Sequence, residues 1–241
     1  MSNHSLGTWL SLPNESIAEI FAKAGYDWVV IDLEHSAINI NQAEQLIRTI
    51  DLAGSKPFVR LSEHSSSQIK RVLDAGARGI LAPMVESKAQ IEGIISACHY
   101  PPRGKRGMGL ARGQGYGEVN AKKEYITTTS KHVEIYAQIE SVAGIANLDS
   151  IFSQEIDGYF IGPYDLSASL GNPGIFDSDE FINAEEQILE ASKRHQIKAG
   201  CHLVEPNPEQ IPILVNQGYD MIAFSVDIRM LDLSARLPFS E

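Results

Sequence analysis

Two carboxylates stand at the ends of two short apolar segments in this 241-residue chain. Glu140 closes the run 135–140 (IYAQIE), and Asp165 follows the segment 158–161 (GYFI) after a Gly-Pro step. Carboxylate oxygens are hard ligands that suit Mg²⁺, Mn²⁺ or a similar cation such as Co²⁺. Two of them leave positions for water and for a 2-oxo acid, whose keto group the cation would polarise and whose enolate it would stabilise. The pair therefore predicts a divalent-metal site.

Further polar residues end the neighbouring apolar segments. Asp32, Glu34 and His35 end one of them, while Arg60 and Gln138 end two others. Side chains alternate along a strand, so Asp32 and Glu34 share one face. Histidine titrates near neutrality, which makes His35 a candidate general base. Arg60 is permanently charged and directional, so it is a candidate for holding a developing oxyanion.

Short apolar runs alternate with amphipathic stretches along the chain. Strands are predicted at 6–10, 27–32, 57–60, 79–82, 135–138, 158–161, 199–202 and 221–225. Helices are predicted at 15–24, 41–52, 66–74, 88–98, 119–130, 143–151, 178–194 and 209–216. Eight such pairs predict an α/β fold, the (β/α)8 TIM barrel, whose catalytic groups come from the C-terminal ends of the strands. A doubly wound open sheet is the alternative, but the first predicted strand lacks the Gly-rich turn that usually follows there.

Composition limits the class of protein. A formal charge of −11 with 43% hydrophobic residues indicates an acidic globular chain and argues against a nucleic-acid-binding surface. Cys98 and Cys201 provide neither a disulfide framework nor metal-ligand spacing. The sequence shows no signal peptide and no run of about 18 apolar residues, so we expect a cytoplasmic protein. No linker divides it, and we expect one barrel domain over residues 1–241.

Six motifs in register resemble one family. Together they span nearly the whole chain, from about residue 7 to residue 227, and look like the metal-dependent (class II) pyruvate aldolases of the phosphoenolpyruvate/pyruvate type of barrel. These are the 4-hydroxy-2-oxoheptanedioate and 2-dehydro-3-deoxyglucarate aldolases, relatives of citrate lyase beta chains. The motifs are 28–35 (WVVIDLEH), 57–60 (PFVR), 68–85 (QIKRVLDAGARGILAPMV), 100–107 (YPPRGKRG), 138–140 (QIE) and 160–167 (FIGPYDLS).

The resemblance implies where metal and substrate would bind. Glu140 and Asp165 would be the metal ligands, and Gln138 would contact pyruvate. The backbone at Tyr164 and Asp165 would meet the pyruvate carboxylate, although the family often has a small residue where this chain has Tyr164. Trp9 ends the first predicted strand and is a candidate pocket wall, with plain core packing as the competing interpretation.

The resemblance also implies catalytic roles. His35 would accept the C4 hydroxyl proton through a metal-bound water, and Arg60 would stabilise the transition state as a 4-hydroxy-2-oxo acid is reversibly cleaved to pyruvate and an aldehyde. A carboxylate that raises the basicity of the histidine matches Asp74. The predicted helix places Asp74 near the opposite end of the barrel, however, and Asp32 is better placed by simple geometry, so both stay candidates. Relatives imply a homo-oligomer, often a hexamer.

The sequence also leaves room for different functions on the same barrel. A Schiff-base aldolase would need a lysine on an inward strand position, but Lys56 and Lys198 begin their predicted strands and only Lys105 is uncommitted. Cleavage of acyl-CoA thioesters is a second such function, and silent binding of a sugar acid without catalysis is a third. Six glycines between residues 104 and 117 predict a mobile connection or an anion cradle near the aldehyde side of the site or a subunit contact.

Overall fold

Eight parallel strands close into a barrel in strict chain order, each strand paired with its sequence neighbours and the last with the first, within the residues that the structure describes. The structure is a computed structural model that describes residues 4–239. The predicted TIM barrel is confirmed. The strands are Ser5–Leu10 (β1), Trp28–Asp32 (β2), Lys56–Arg60 (β3), Gly79–Ala82 (β4), Glu134–Ile139 (β5), Gly158–Ile161 (β6), Lys198–Leu203 (β7) and Met221–Val226 (β8).

Helices connect the strands and surround the barrel. Within residues 4–239 none of them is long and apolar enough to cross a bilayer. They are Glu15–Ala24 (α1), Ile40–Leu52 (α2), Ser66–Ala75 (α3), Lys88–Cys98 (α4), Val119–Thr127 (α5), Val142–Ala146 (α6), Leu148–Phe152 (α7), Pro163–Ser169 (α8), Asp179–His195 (α9), Gln210–Gln217 (α10) and Asp227–Arg236 (α11).

The inside of the barrel is filled by large side chains that recur at every second strand position. Trp28 stacks on Phe58 with ring centroids 5.8 Å apart, and Tyr136 meets Phe160 edge-on at 5.7 Å. The intervening residues, such as Val29, point outward and pack against the helices. Because the side-chain period of a strand is two, inward positions two or four residues beyond the aromatic ones lie at the C-terminal rim. Those rim positions carry the polar residues of the site.

Two predicted helices differ from those observed. The predicted helix 143–151 is interrupted at Asn147, whose side chain donates to the carbonyls of Glu86 and Ala143 and leaves the residue outside the helical conformation. The predicted helix 119–130 ends at Thr127, and a short 3-10 helix, Thr129–His132, follows. Consecutive β-branched threonines at this point disfavour a continued α-helix.

Two further helices were not predicted. Pro163–Ser169 begins with a proline in its first turn, a position where the missing N–H group costs nothing. Asp165 therefore lies in the first turn of α8. The other helix is Asp227–Arg236, which follows β8 directly.

Gly7 gives the first testable prediction, because the Trp28 indole occupies the space that a side chain would need. A Cβ atom built on Gly7 overlaps the indole ring. We expect Gly7→Ala to lower the free energy of unfolding by about 1–3 kcal/mol, measured by denaturant titration. Gly109→Ala is the control, since nothing lies within 4 Å of its Cβ position. Equal stability of the two variants would contradict this close packing of the indole on β1.

Candidate active site

Asp32 and Arg60 form a buried ion pair at the C-terminal rim. The two residues are paired across β2 and β3, and they are 5% and 9% exposed. Arg60 donates from Nε to Oδ1 at 2.9 Å and from Nη2 to Oδ2 at 2.6 Å. Burial alone would raise the pKa of Asp32, but the hydrogen bonds and charge of Arg60 hold it below its usual range. The fork-shaped contact therefore fixes the guanidinium in one orientation.

Glu34 approaches the same guanidinium from the loop after β2. Its Oε2 atom lies 3.2 Å from Arg60 Nη1. Burial raises the pKa of Glu34, Arg60 opposes this shift, and the charges of Asp32 and Asp165 add to it. Asp32 Oδ1 also accepts the backbone N–H groups of Glu34 and His35 at 3.0 and 3.2 Å, so the ion pair holds this loop in place.

Glu140 and Gln138 lie next to each other at the end of β5, both almost fully buried. Gln138 Nε2 donates to Glu140 Oε2, and the Met84 N–H donates to Oε1 at 2.5 Å. Met84 has a φ of 47°, an unusual value for a residue with a side chain, and this conformation aims its N–H group at the carboxylate. A Cβ on Gly162 would overlap Glu140 Oε2, so the end of β6 leaves just enough room for the carboxylate.

The environment of Glu140 disfavours a negative charge. Burial raises its pKa to about 7, the Met84 hydrogen bond opposes this, and the charges of Glu34 and Asp165 push it further upward. Gln138 Oε1 is buried and has no hydrogen-bond partner among residues 4–239. Gln138 Oε1 is thus an unpaired buried acceptor beside a carboxylate whose negative charge is disfavoured. A bound cation or a hydrogen-bond donor would stabilise both groups.

Asp165 and His35 face each other on the solvent side of the rim. His35 Nε2 lies 3.9 Å from Asp165 Oδ2 and 3.9 Å from Glu34 Oε2, and the imidazole is 60% exposed. Tyr164 is also exposed, with its ring packed edge-on against Phe176 at 5.1 Å. The predicted base is therefore accessible to a substrate from solvent.

Trp9 is both buried and part of the rim. Arg60 Cζ lies 4.5 Å from the centre of the indole ring, so a cation–π contact supports the guanidinium from one side. The His202 ring stacks against Trp9 at 5.2 Å, and its Nε2 lies 3.2 Å from the Ser225 carbonyl oxygen. Burial lowers the pKa of His202 to about 4, with the Ser225 hydrogen bond opposing and the charge of Arg60 adding to the shift. A neutral His202 imidazole therefore packs against the Trp9 indole.

Asp74 lies elsewhere. At the C-terminal end of α3 it accepts from Arg106 Nη2 at 2.6 Å and from Gln114 Nε2 at 3.1 Å. Among residues 4–239, the carboxylates within 4 Å of the His35 imidazole are those of Glu34 and Asp165, whereas Asp32 contacts the backbone of His35. The roles predicted for Asp32 and Asp74 in tuning His35 stay predictions.

The site combines four carboxylates with one guanidinium. Asp32, Glu34, Glu140 and Asp165 outnumber Arg60. Burial raises the pKa of Glu34 and Glu140, and the charges of the neighbouring carboxylates add to this. In residues 4–239 no three His, Cys, Asp or Glu side chains are grouped so as to enclose a metal by themselves. A divalent ion here would therefore depend on one or two carboxylates together with substrate and water oxygens, as is usual for Mg²⁺. The donor set fits such an ion.

Sequence reasoning missed several contributors to this site. Alternation with Asp32 places Glu34 at the rim, but the sequence assigns it no contact with Arg60. Gly162 follows Phe160 by two positions, so the same periodicity could have placed it inside the rim. Met84 acts through its backbone in a loop, and nothing in the sequence indicates its positive φ.

Comparison with known proteins gives concordant results. The family model described as HpcH/HpaI aldolase/citrate lyase matches residues 5–232. A hydroxypyruvate/pyruvate aldolase of Rhizorhabdus wittichii is 37% identical over 96% of this chain and 91% of its own length. A 2-keto-3-deoxy-L-rhamnonate aldolase of Salmonella gallinarum is 42% identical over 92% of this chain and 82% of its own length. The crystal structure of an HpcH/HpaI aldolase/citrate lyase family protein from Burkholderia cenocepacia superposes with a TM-score of 0.91 at 30% identity, covering 98% of this chain and 94% of that one.

Proposed function

Because the chain belongs to the HpcH/HpaI aldolase/citrate lyase family and is a carbon–carbon lyase, we propose that it reversibly cleaves a 4-hydroxy-2-oxo acid to pyruvate and an aldehyde with the help of a divalent cation. The resemblance seen in the sequence is confirmed at the level of the family. The 4-hydroxy-2-oxoheptanedioate type of substrate stays a prediction. The relatives named hydroxypyruvate/pyruvate aldolase and 2-keto-3-deoxy-L-rhamnonate aldolase support a 2-oxo acid as the substrate.

The observation that carries the proposal is the uncompensated negative charge at the rim. Glu140 is buried, its pKa is raised, and it shares the rim with the carboxylate of Asp165. A bound Mg²⁺ or Mn²⁺ would offset this charge and, when present, would polarise the keto oxygen of the substrate. Glu140 and Asp165 are the side chains that we propose to hold it.

Gln138 and the first turn of α8 are proposed to bind the acid group of the substrate. Gln138 Nε2 donates one hydrogen to Glu140 and carries a second that can be donated to an oxygen of pyruvate. The N–H groups of Tyr164 and Asp165 belong to the first helical turn, where backbone donors have no acceptor within the helix. These donors can orient the pyruvate carboxylate.

Bond cleavage then needs a base and a group that stabilises negative charge. His35, on the open side, would take the proton of the C4 hydroxyl directly or through water. The C3–C4 bond breaks, the aldehyde leaves, and the electron pair moves through C3 and C2 to the keto oxygen. Arg60 is fixed by Asp32 and Trp9 and can hold the resulting oxyanion. Protonation of the enolate at C3 gives pyruvate.

Metal dependence is directly testable. A chelator is expected to abolish turnover, and added Mn²⁺ should restore it. Glu140→Gln and Asp165→Asn are each expected to weaken Mn²⁺ binding by about tenfold or more, followed by electron paramagnetic resonance, because each removes a charged oxygen ligand. Glu44→Gln, which removes an exposed carboxylate on α2, is the control. Full activity of the metal-free enzyme would refute the proposal.

The Schiff-base alternative receives no support from the positions of the strand lysines. Lys56 and Lys198 both contact Glu134, at 2.8 and 3.1 Å, at the N-terminal end of the barrel. The positive charge at the opposite rim comes from an arginine, which does not form Schiff bases. Borohydride trapping with pyruvate is therefore expected to give no covalent adduct.

Assembly into a homo-oligomer is part of the proposal. The C-terminal segment leaves large apolar side chains exposed in the single chain, and contact with other copies would remove them from water. Those side chains are Ile228, Leu231, Leu237 and Phe239.

A further inference from the structure

The peptide group between Pro83 and Met84, in the loop after β4, has a hydrogen bond at each of its ends. Its N–H group donates to Glu140 Oε1 at 2.5 Å, and its carbonyl oxygen lies 2.5 Å from His64 Nε2. A carbonyl oxygen can only accept a hydrogen bond, so His64 Nε2 carries the hydrogen and donates it. A single peptide group therefore connects His64 with the carboxylate that we propose as a cation ligand.

This peptide group needs support, because Met84 has a φ of 47°. Residues with a side chain rarely adopt such values, and they keep them only where surrounding contacts enforce them. Rotation of the peptide group by about half a turn would return Met84 to a negative φ. Because the N–H and C=O groups of a trans peptide point in opposite directions, this rotation would turn the carbonyl oxygen toward Glu140. The hydrogen bond from His64 opposes the rotation.

His64 is held in place by contacts outside the candidate active site. It lies in the loop after β3, between two serines that are tied to the first turn of α3. The Ser62 N–H group donates to Gln68 Oε1 at 3.0 Å, and Ser65 Oγ accepts from the Gln68 N–H group at 3.4 Å. Since β3 pairs with β4, this loop lies beside the loop after β4. The loop after β3 can therefore present the His64 imidazole in a fixed position.

We propose that His64 is a positioning residue for the candidate active site, which keeps Glu140 oriented for the cation through the Pro83–Met84 peptide group. Gln138 Nε2 donates to one oxygen of Glu140 and the Met84 N–H group donates to the other, so loss of the second bond would let the carboxylate turn. Groups behind a metal ligand orient it, and their removal typically costs about 10–100-fold in metal affinity or activity. The inference rests on the proposed role of Glu140 as a cation ligand.

Three substitutions of His64 test this geometry, with Mn²⁺ binding to the intact enzyme measured by electron paramagnetic resonance. In His64→Gln the amide nitrogen is as many bonds from the backbone as the imidazole Nε2, so we expect affinity close to that of the wild type. His64→Asn carries its donor one bond closer to the backbone, and His64→Phe keeps a ring without a donor. Each of these two is expected to weaken Mn²⁺ binding by about tenfold or more. His132→Phe, the same exchange at an exposed histidine before β5, is the control.

Kinetics separate positioning from damage to the barrel. His64→Phe should lose activity at subsaturating Mn²⁺ and recover most of kcat at saturating Mn²⁺, because the bound cation itself orders the carboxylate. Three results would overturn the inference and leave the proposed function intact: wild-type Mn²⁺ affinity in His64→Phe, an equal loss in His64→Gln, or a loss of kcat that saturating Mn²⁺ does not reverse. Failure of the wild-type enzyme to bind Mn²⁺ would instead overturn the proposed function and this inference together.

Discussion

Replacing Arg60 with lysine is expected to lower kcat by about two to three orders of magnitude while the protein stays folded. Removal of one oxyanion-stabilising donor typically has this effect. Lysine keeps the positive charge beside Asp32 and Glu34, so neither carboxylate is left without a cation. It cannot reproduce the two parallel hydrogen bonds to Asp32 or the flat contact with Trp9. The loss therefore reports the orientation of the guanidinium.

Steady-state kinetics with saturating Mn²⁺ would measure this effect. We expect kcat and kcat/KM to fall together, since the interaction strengthens only as the enolate forms. Arg194→Lys is the control, because Arg194 makes an exposed ion pair with Asp149 on the outer surface and should keep activity within about twofold. A raised KM with unchanged kcat would instead show that Arg60 binds the ground state and the transition state equally.

Much of the site follows from a local property of the sequence. Residues alternate between the two faces of a strand, and hydrophobic side chains fill the barrel. A polar residue that ends the strand two or four positions beyond an inward aromatic must therefore lie on the inner rim. This reasoning predicts the placement of Asp32 after Trp28 and Val30, and that of Arg60 after Phe58. The contact between them needs the pairing of β2 with β3, which barrel order provides.

Other features depend on contacts that no local pattern encodes. Met84 reaches Glu140 only because its loop adopts a positive φ, and a methionine gives no hint of that conformation. The partners of Asp74, Arg106 and Gln114, come from the glycine-rich loop, whose path over α3 is set by tertiary packing. Both features therefore depend on contacts between residues that are far apart in the sequence.

Gly162→Ala is expected to lower activity by about 100-fold, although the change adds a single methyl group. The new Cβ would overlap Glu140 Oε2 and lie 2.8 Å from Gln138 Nε2. Both groups are buried against β5 and β6, so the carboxylate can escape only by rotating away from the position we propose for the cation. A displacement of about 1 Å at a catalytic group commonly has an effect of this size. Mn²⁺ affinity should fall with activity.

Two further variants separate displacement of the carboxylate from general damage to the barrel. Gly93→Ala adds the same methyl group in α4, where nothing lies within 4 Å, and should keep activity while stabilising the helix by about 0.5–1 kcal/mol. Combining Gly162→Ala with Glu140→Asp shortens the overlapping side chain by one methylene group and should restore part of the Mn²⁺ affinity. A loss in Gly162→Ala that the shorter carboxylate leaves unchanged would mean that the methyl group acts on the strand and not on Glu140. Wild-type activity and Mn²⁺ affinity in Gly162→Ala would mean that Glu140 needs no fixed position, and the metal-site assignment would fail with it.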